Sequence, residues 1–384
     1  MKTFLYLIGF DLTGGSTICA LELIKNLQQT DFKPTVVTLH KNDFNDFCTK
    51  NNIENYSCHY GRICSMSKGF FGRSIAFFMR PILNYVAFKR LKQKINFNEI
   101  SFVHSNDTCI DFGAYLQKKL GIPHFWHVRD FFLFEGMWPP LVKDLPSYMS
   151  KNATKIITVS KALENYLISN GCPLNKVQTI YDGIAVPSEL PRNSHSETPK
   201  DVLKVACVGQ ICRLKGQITL VEAISKMTDE ERSHFKFVFF GEIKRDVEEE
   251  LAKKIKEFKL EQCIEFKGYS KNVLSNLANY DIGVQPSHSE GFSRVTAEYM
   301  AAGLCVIAAE EGAIPELIQH NENGLLYEDY NSQELKKHLL FCYRNQSQMH
   351  SLAKKAQQKF FSHYDIEINF SHILEQYNQI VEKN

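Results

Sequence analysis

At 384 residues the chain is too long for one small core, so two domains are expected. Hydrophobic residues at 44% and charged residues at 23% are ordinary for a globular protein, and a net charge of +2 excludes a broad nucleic-acid-binding surface. Eleven cysteines show no zinc-type pairing, because Cys58 and Cys64, or Cys207 and Cys212, are too widely spaced for a CxxC knuckle. They read as reduced, mostly buried thiols of a cytoplasmic protein.

The chain opens with MKTFLYLIGFDLTGG, where Lys2 precedes a short apolar run that ends before Asp11. The run is brief for a signal peptide and no A-x-A cleavage site follows, so a buried first strand is expected. Further strands are expected at 35–39, 102–105, 124–128 and 155–160, with helices between them such as 17–29 and 108–121. Apolar strands alternating with helices predict parallel βαβ units. Nothing reaches the ~18 uninterrupted apolar residues of a membrane span. The nearest stretch, 75–88, is broken by Arg80, Pro81 and Asn84.

From 187 to 200 the periodicity gives way to Pro, Ser and charge, which reads as a linker. The pattern then restarts, with strands expected at 202–210, 235–241, 264–269, 282–287 and 303–309. The predicted class is α/β, with two Rossmann-like domains, 1–186 and 201–360, facing a central cleft. The polar, helical end of the chain, 361–384, is expected to pack back across the domains. In such sheets ligands sit outside the carboxyl ends of the strands.

Four clusters fall just after predicted strands. Gly14-Gly15-Ser16 would let a backbone approach a ligand at a helix start, with a plain loop as the alternative. It is not GxGxxG, which counts against a nicotinamide site. His127, in Trp-His-Val-Arg-Asp, could orient or polarise a substrate near neutral pH, or be a structural histidine bonded to backbone. His104, ending the preceding strand, reads as structural. Arg213 and Lys215 follow a strand and its terminal Gly209, where cations suit a diphosphate. The fourth cluster is Ser289-Glu-Gly-Phe-Ser-Arg-Val-Thr-Ala-Glu298. Gly291, Phe292 and Ser293 read as a turn into a helix whose first amides, at Arg294 and Val295, would face an anion. Residues eight apart do not share a helix face (~80° apart at 3.6 per turn), so Glu290 must precede the helix and Glu298 lie within it. Helix-dipole preference alone could also place Glu290 there.

Ser289-Glu290-Gly-Phe-Ser…Glu298-Tyr-Met-Ala-Ala-Gly303, followed by Val306-Ile-Ala…Gly312-Ala-Ile-Pro-Glu316, resembles the Glu-x7-Glu signature of glycosyltransferase family 4. The resemblance extends to the Gly14-Gly15 loop, HSND (104–107), FWHVRD (125–130), ITVSKAL (157–163), YDGI (181–184) and VGQICRLKGQ (208–217). It implies a GT-B enzyme transferring sugar from a nucleotide donor, a UDP- or GDP-sugar, with retention of configuration. It further implies that Glu298 binds the ribose and Glu290 the donor's sugar hydroxyls. Lys215 would hold the diphosphate with the amides of Arg294 and Val295 and with Gly15, and His127 would contact the transferred sugar. The nucleotide would lie mainly on the C-terminal domain and the acceptor on the N-terminal one. No metal or other cofactor is implied, and the leaving phosphate would take the acceptor's proton in a front-face displacement. One departure is Gln210, where many relatives carry Arg; Arg213 is the candidate substitute.

From Tyr60 to Ile95 there are eight Lys or Arg and no Asp or Glu, interleaved with aromatics. This suits an anionic lipid surface, and an amphipathic helix with its apolar face in the core is the alternative. A lipid-linked saccharide or glycan acceptor in bacterial surface polysaccharide assembly (capsule, O-antigen or lipopolysaccharide) fits that surface, at the inner face of the plasma membrane. Single-stranded nucleic acid also favours basic and aromatic residues, but the diphosphate-type site argues against it. The rival readings are a nucleotide-sugar epimerase of the same fold and a non-catalytic nucleotide-sugar-binding protein, the latter motivated by Gln210.

Overall fold

The computed structural model describes residues 2–9, 14–65, 69–131, 138–188, 190, 199–270 and 273–382. The chain divides into two units, Met1–Gly183 with Ile366–Asn384, and Ile184–Asp365. Most of the stretch expected to be a linker lies outside the described residues.

The first unit runs β1 (Lys2–Ile8), α1 (Gly15–Leu27), β2 (Phe32–Thr38), α2 (Asp43–Lys50), β3 (Asn55–Ser57) and α3 (Phe70–Leu91). It continues with β4 (Ile100–Ser105), α4 (Phe112–Leu120), β5 (His124–Val128), α5 (Leu145–Lys151), β6 (Lys155–Thr158), α6 (Lys161–Ser169) and β7 (Val177–Thr179). The sheet order is β3-β2-β1-β4-β5-β6-β7, with neighbouring strands parallel. The central strands are buried on both faces, as their unbroken apolar runs require. The order reverses between β1 and β4, the place where such sheets open a crevice at their carboxyl ends.

The second unit comprises β8 (Leu203–Val208), α7 (Gln217–Ser225), α8 (Asp229–Ser233), β9 (Phe235–Phe240), α9 (Arg245–Glu257), β10 (Ile264–Gly268), α10 (Val273–Leu277) and β11 (Ile282–Gln285). Then come α11 (Arg294–Ala301), β12 (Cys305–Ala309), α12 (Ile314–Leu317), β13 (Leu325–Tyr327), α13 (Ser332–Arg344) and α14 (Gln346–His363). Its sheet, β10-β9-β8-β11-β12-β13, is again parallel and reverses between β8 and β11. Helix α14 belongs to this unit, where Gln357 donates to the Ala301 carbonyl at the end of α11 (2.9 Å).

The last helix, α15 (Ile366–Glu382), returns to the first unit. Ile373, Tyr377 and Ile380 enter its core beside Phe4, Phe32, Phe102 and Phe125. Helix α3 behaves differently at its two ends. Asn84, Ala87, Phe88 and Leu91 are buried, whereas Phe70, Phe71 and Phe78 are 80%, 82% and 69% exposed. Its first half therefore does not present its apolar side chains to the core. Among the described residues no helix is long and apolar enough to cross a membrane.

Candidate active site

In the second unit the carboxyl ends of β8 and β11 converge on Glu290. Lys215, in the short turn after β8, places its Nζ 2.6 Å from Glu290 Oε1. Gln285, the last residue of β11, donates to the same oxygen at 2.8 Å. Gly216 has a left-handed backbone (φ 65°), and a Cβ there would stand 1.8 Å from the Pro286 carbonyl oxygen. That close approach seats the Lys215 turn on the loop leading to Glu290. Gly312 serves from the other side (φ 55°), since a Cβ would meet the Glu290 carbonyl at 2.2 Å, and Ala313 donates to that carbonyl at 3.0 Å.

Glu290 precedes α11 and Glu298 lies inside it, as the spacing requires. Ser293, the residue before the helix, is itself left-handed (φ 68°, ψ 68°), a strained state for a non-glycine residue. Its hydroxyl bonds the Thr296 hydroxyl (2.8 Å) and provides no cap to the backbone. The helix thus begins at Arg294 and Val295 without a side-chain cap from Ser293, and the positive end of a helix favours an anion. Arg294 reaches along the helix to Glu298 (2.9 Å). Gly291 and Phe292 are buried, and the Phe292 ring packs edge-on against Tyr364.

Arg213 takes a different course. Its side chain is 66% exposed and its guanidinium pairs with Glu250 of α9 (3.1 Å) rather than with Glu290. Gln210 is exposed and its carbonyl accepts from Gln217 Nε2 (3.1 Å). In the first unit Gly15 opens α1, with no atom of the described residues within 4 Å of where a Cβ would stand.

His127, at the end of β5, lies in a buried polar network of the first unit. Its Nδ1 is 3.1 Å from His104 Nε2 and 3.3 Å from an Arg129 guanidinium nitrogen. Arg129 is held in turn by Asn106 Oδ1 (2.9 and 3.1 Å) and Asp182 (2.5 Å), while Tyr6 donates to the same Asn106 oxygen (2.7 Å). His104 Nδ1 lies 2.6 Å from the Tyr377 hydroxyl of α15. Burial first, then the Arg129 charge, hold both imidazoles well below their usual pKa. Sequence reading identified His127 but not Asn106, Arg129, Asp182 or Tyr377 as its support. The last lies 250 residues away, and only the fold joins it to His127.

Two parallel Rossmann-type units, with Glu290 and Glu298 on either side of a helix start in the second, have the architecture of a GT-B glycosyltransferase. Residues 192–359 match the model of glycosyl transferases group 1, and residues 13–186 that of glycosyltransferase family 4. The chain is 28% identical over 369 residues to an uncharacterized glycosyltransferase of Methanocaldococcus jannaschii, covering 93% of each. It is 26% identical to the amylovoran biosynthesis glycosyltransferase AmsK of Erwinia amylovora, covering 61% of this chain and 58% of that one. The fold matches HepE of Anabaena, solved in complex with UDP and glucose, with a TM-score of 0.80, 20% identity, and coverage of 99% of this chain and 100% of that one. The chain belongs to glycosyltransferase family 4 and is related to enzymes of capsule and cell-wall polysaccharide synthesis.

Proposed function

We propose that the chain is a retaining transferase that moves a sugar from a UDP- or GDP-sugar to a glycan or lipid-linked saccharide during cell-surface polysaccharide assembly. The observation that carries this is the start of α11, uncapped by Ser293 and flanked by the Lys215–Glu290 pair and Glu298. Its amides and Lys215 take up the charge that grows on the diphosphate as the sugar–phosphate bond breaks. Glu298 accepts from the ribose hydroxyls and Glu290 from hydroxyls of the transferred sugar. The pair with Glu290 holds Lys215 in place before the donor arrives, after which the lysine is shared with the diphosphate. The acceptor belongs to the first unit, where His127 serves the transferred sugar. The UDP in the HepE complex and the amylovoran role of AmsK support the donor class and the pathway.

Because amides and a lysine do the electrostatic work, no metal is required, and a chelator leaves turnover unchanged. The leaving phosphate oxygen takes the acceptor hydroxyl's proton as the new bond forms on the same face. The product therefore keeps the donor's anomeric configuration, and an inverted anomer would overturn this step. The exposed aromatic half of α3, with Arg73 in that half and Lys89 and Arg90 near the helix end, rests on anionic lipid at the cytoplasmic face of the membrane.

A thermal-shift screen of UDP-, GDP- and ADP-sugars identifies the donor, since a ligand that binds only the folded state raises its melting temperature. The expected result is stabilisation by one nucleotide class, followed by transfer to a lipid-linked acceptor. A donor isomerised without acceptor would point to an epimerase instead. Binding with neither hydrolysis nor transfer across the panel would point to a non-catalytic binding protein.

A further inference from the structure

We infer that Arg129, His104 and Tyr377 form a positioning relay that fixes the proton of a neutral His127 on Nε2, so that the ring offers a ligand a hydrogen-bond donor and cannot act there as a base. The Arg129 guanidinium stays charged and has only donors. An Arg129 N–H points at His127 Nδ1 (3.3 Å), so that nitrogen accepts and the ring proton sits on Nε2. His104 Nε2 faces the same Nδ1 at 3.1 Å and must donate to it. With its proton on Nε2, His104 accepts at Nδ1, and the Tyr377 hydroxyl at 2.6 Å donates there. The reverse direction would bring two N–H groups head to head at His127 Nδ1. One guanidinium therefore sets the sense of the whole chain of bonds.

The relay ends at His127 Nε2, which is buried and has no hydrogen-bond partner among the described residues. Buried N–H groups in native proteins are nearly always paired with protein, water or ligand. The group that satisfies this one must be an acceptor, and a neutral donor in a dry setting suits an uncharged oxygen such as a sugar hydroxyl. The two imidazoles are also kept neutral by burial and by the nearby guanidinium charge. The relay itself rests on geometry within the first unit. Only the identity of what Nε2 meets rests on the transferase reading.

The experiment uses the full chain with 15N-labelled histidine, read by long-range 1H–15N correlation at pH 7. His127 is identified by the signals that vanish in His127→Gln. The expected pattern is one protonated Nε2 and one unprotonated Nδ1; a proton on Nδ1, or on both nitrogens, would overturn the relay. A second arm compares His104→Leu with His104→Gln, whose amide can restore a donor near the Nε2 position. The leucine variant is expected to lose about tenfold in kcat, the equivalent of one hydrogen bond, with donor KM little changed. The glutamine variant is expected to recover most of that loss, and equal losses in both variants would count against the relay. If the Nε2–H form is observed but no donor in the panel is turned over, the transferase reading fails while the relay stands.

Discussion

Glu298 sits buried on α11, with one carboxylate oxygen 2.9 Å from Arg294 Nε. Glu298→Ala removes the proposed ribose acceptor and is expected to weaken nucleotide-sugar binding by about tenfold, roughly one charged hydrogen bond. Calorimetric titration with the donor checks this, and unchanged affinity would count against the assignment. Lys215→Met should behave differently, because its charge matters most as the diphosphate departs. A loss of about a hundredfold in kcat is expected, comparable to removing one preorganised donor from a charged transition state. The histidines of the first unit add a pH dependence. His104 and His127 are held well below the usual range and His124 is lowered to about 4, all chiefly by burial. Their folded pKa values lie below the unfolded value near 6.5. The stability tied to their neutral forms is thus complete above about pH 6.5 and is lost as pH falls toward the folded values, by up to about 1.4 kcal/mol per unit for each ring. Asp107 and Asp111, raised by burial, act in the opposite sense, two groups against four once His338 of the second unit, also lowered chiefly by burial, is included. Denaturant melts at pH 7 and pH 5 should show a net loss of stability, and equal midpoints would contradict it.

Helix α15 shows how a distant element can complete a local site. Tyr377 is fully buried among Phe4, Phe32, Phe102 and Phe125 and spends its hydroxyl on His104. Tyr377→Phe keeps the ring but leaves a buried acceptor unpaired, and should cost about 1–3 kcal/mol in urea unfolding. Helix α3 carries its own test. Replacing Phe70, Phe71 and Phe78 by Ser should release the protein from anionic vesicles while leaving its melting temperature almost unchanged, since all three rings are exposed. Retained vesicle binding would reject that role. At this scale the sequence was informative where an element is buried on both faces. The β5 strand falls at 124–128 as read, and β8, β9 and β12 lie within their expected runs. It was silent for β3, β7 and β13, three residues each, because so short a run carries no periodicity. The Glu290–Glu298 arrangement was legible because helical geometry forbids the alternative. Gln285 and Tyr377 were not, since nothing local marks a residue whose partner arrives through tertiary packing.

The molecule is two parallel βαβ sheets, each with its candidate site residues toward the carboxyl ends of its strands. In the second unit Lys215, Glu290, Glu298 and the start of α11 gather near the reversal between β8 and β11. In the first, His127 is the penultimate residue of β5, the strand beside β4, and α15 brings Tyr377 to its support through His104. On the proposed reading such a division lets nucleotide recognition stay fixed while the acceptor side varies, as folds shared by many activities do. The most direct test of the account is transfer itself. The full chain is incubated with a UDP- or GDP-sugar labelled in the sugar, together with a lipid-linked saccharide, and the label is followed. The account predicts label on the acceptor with the donor's anomeric configuration, lost in Lys215→Met. Label that stays on the nucleotide with every donor and acceptor, although the nucleotide binds, would contradict it.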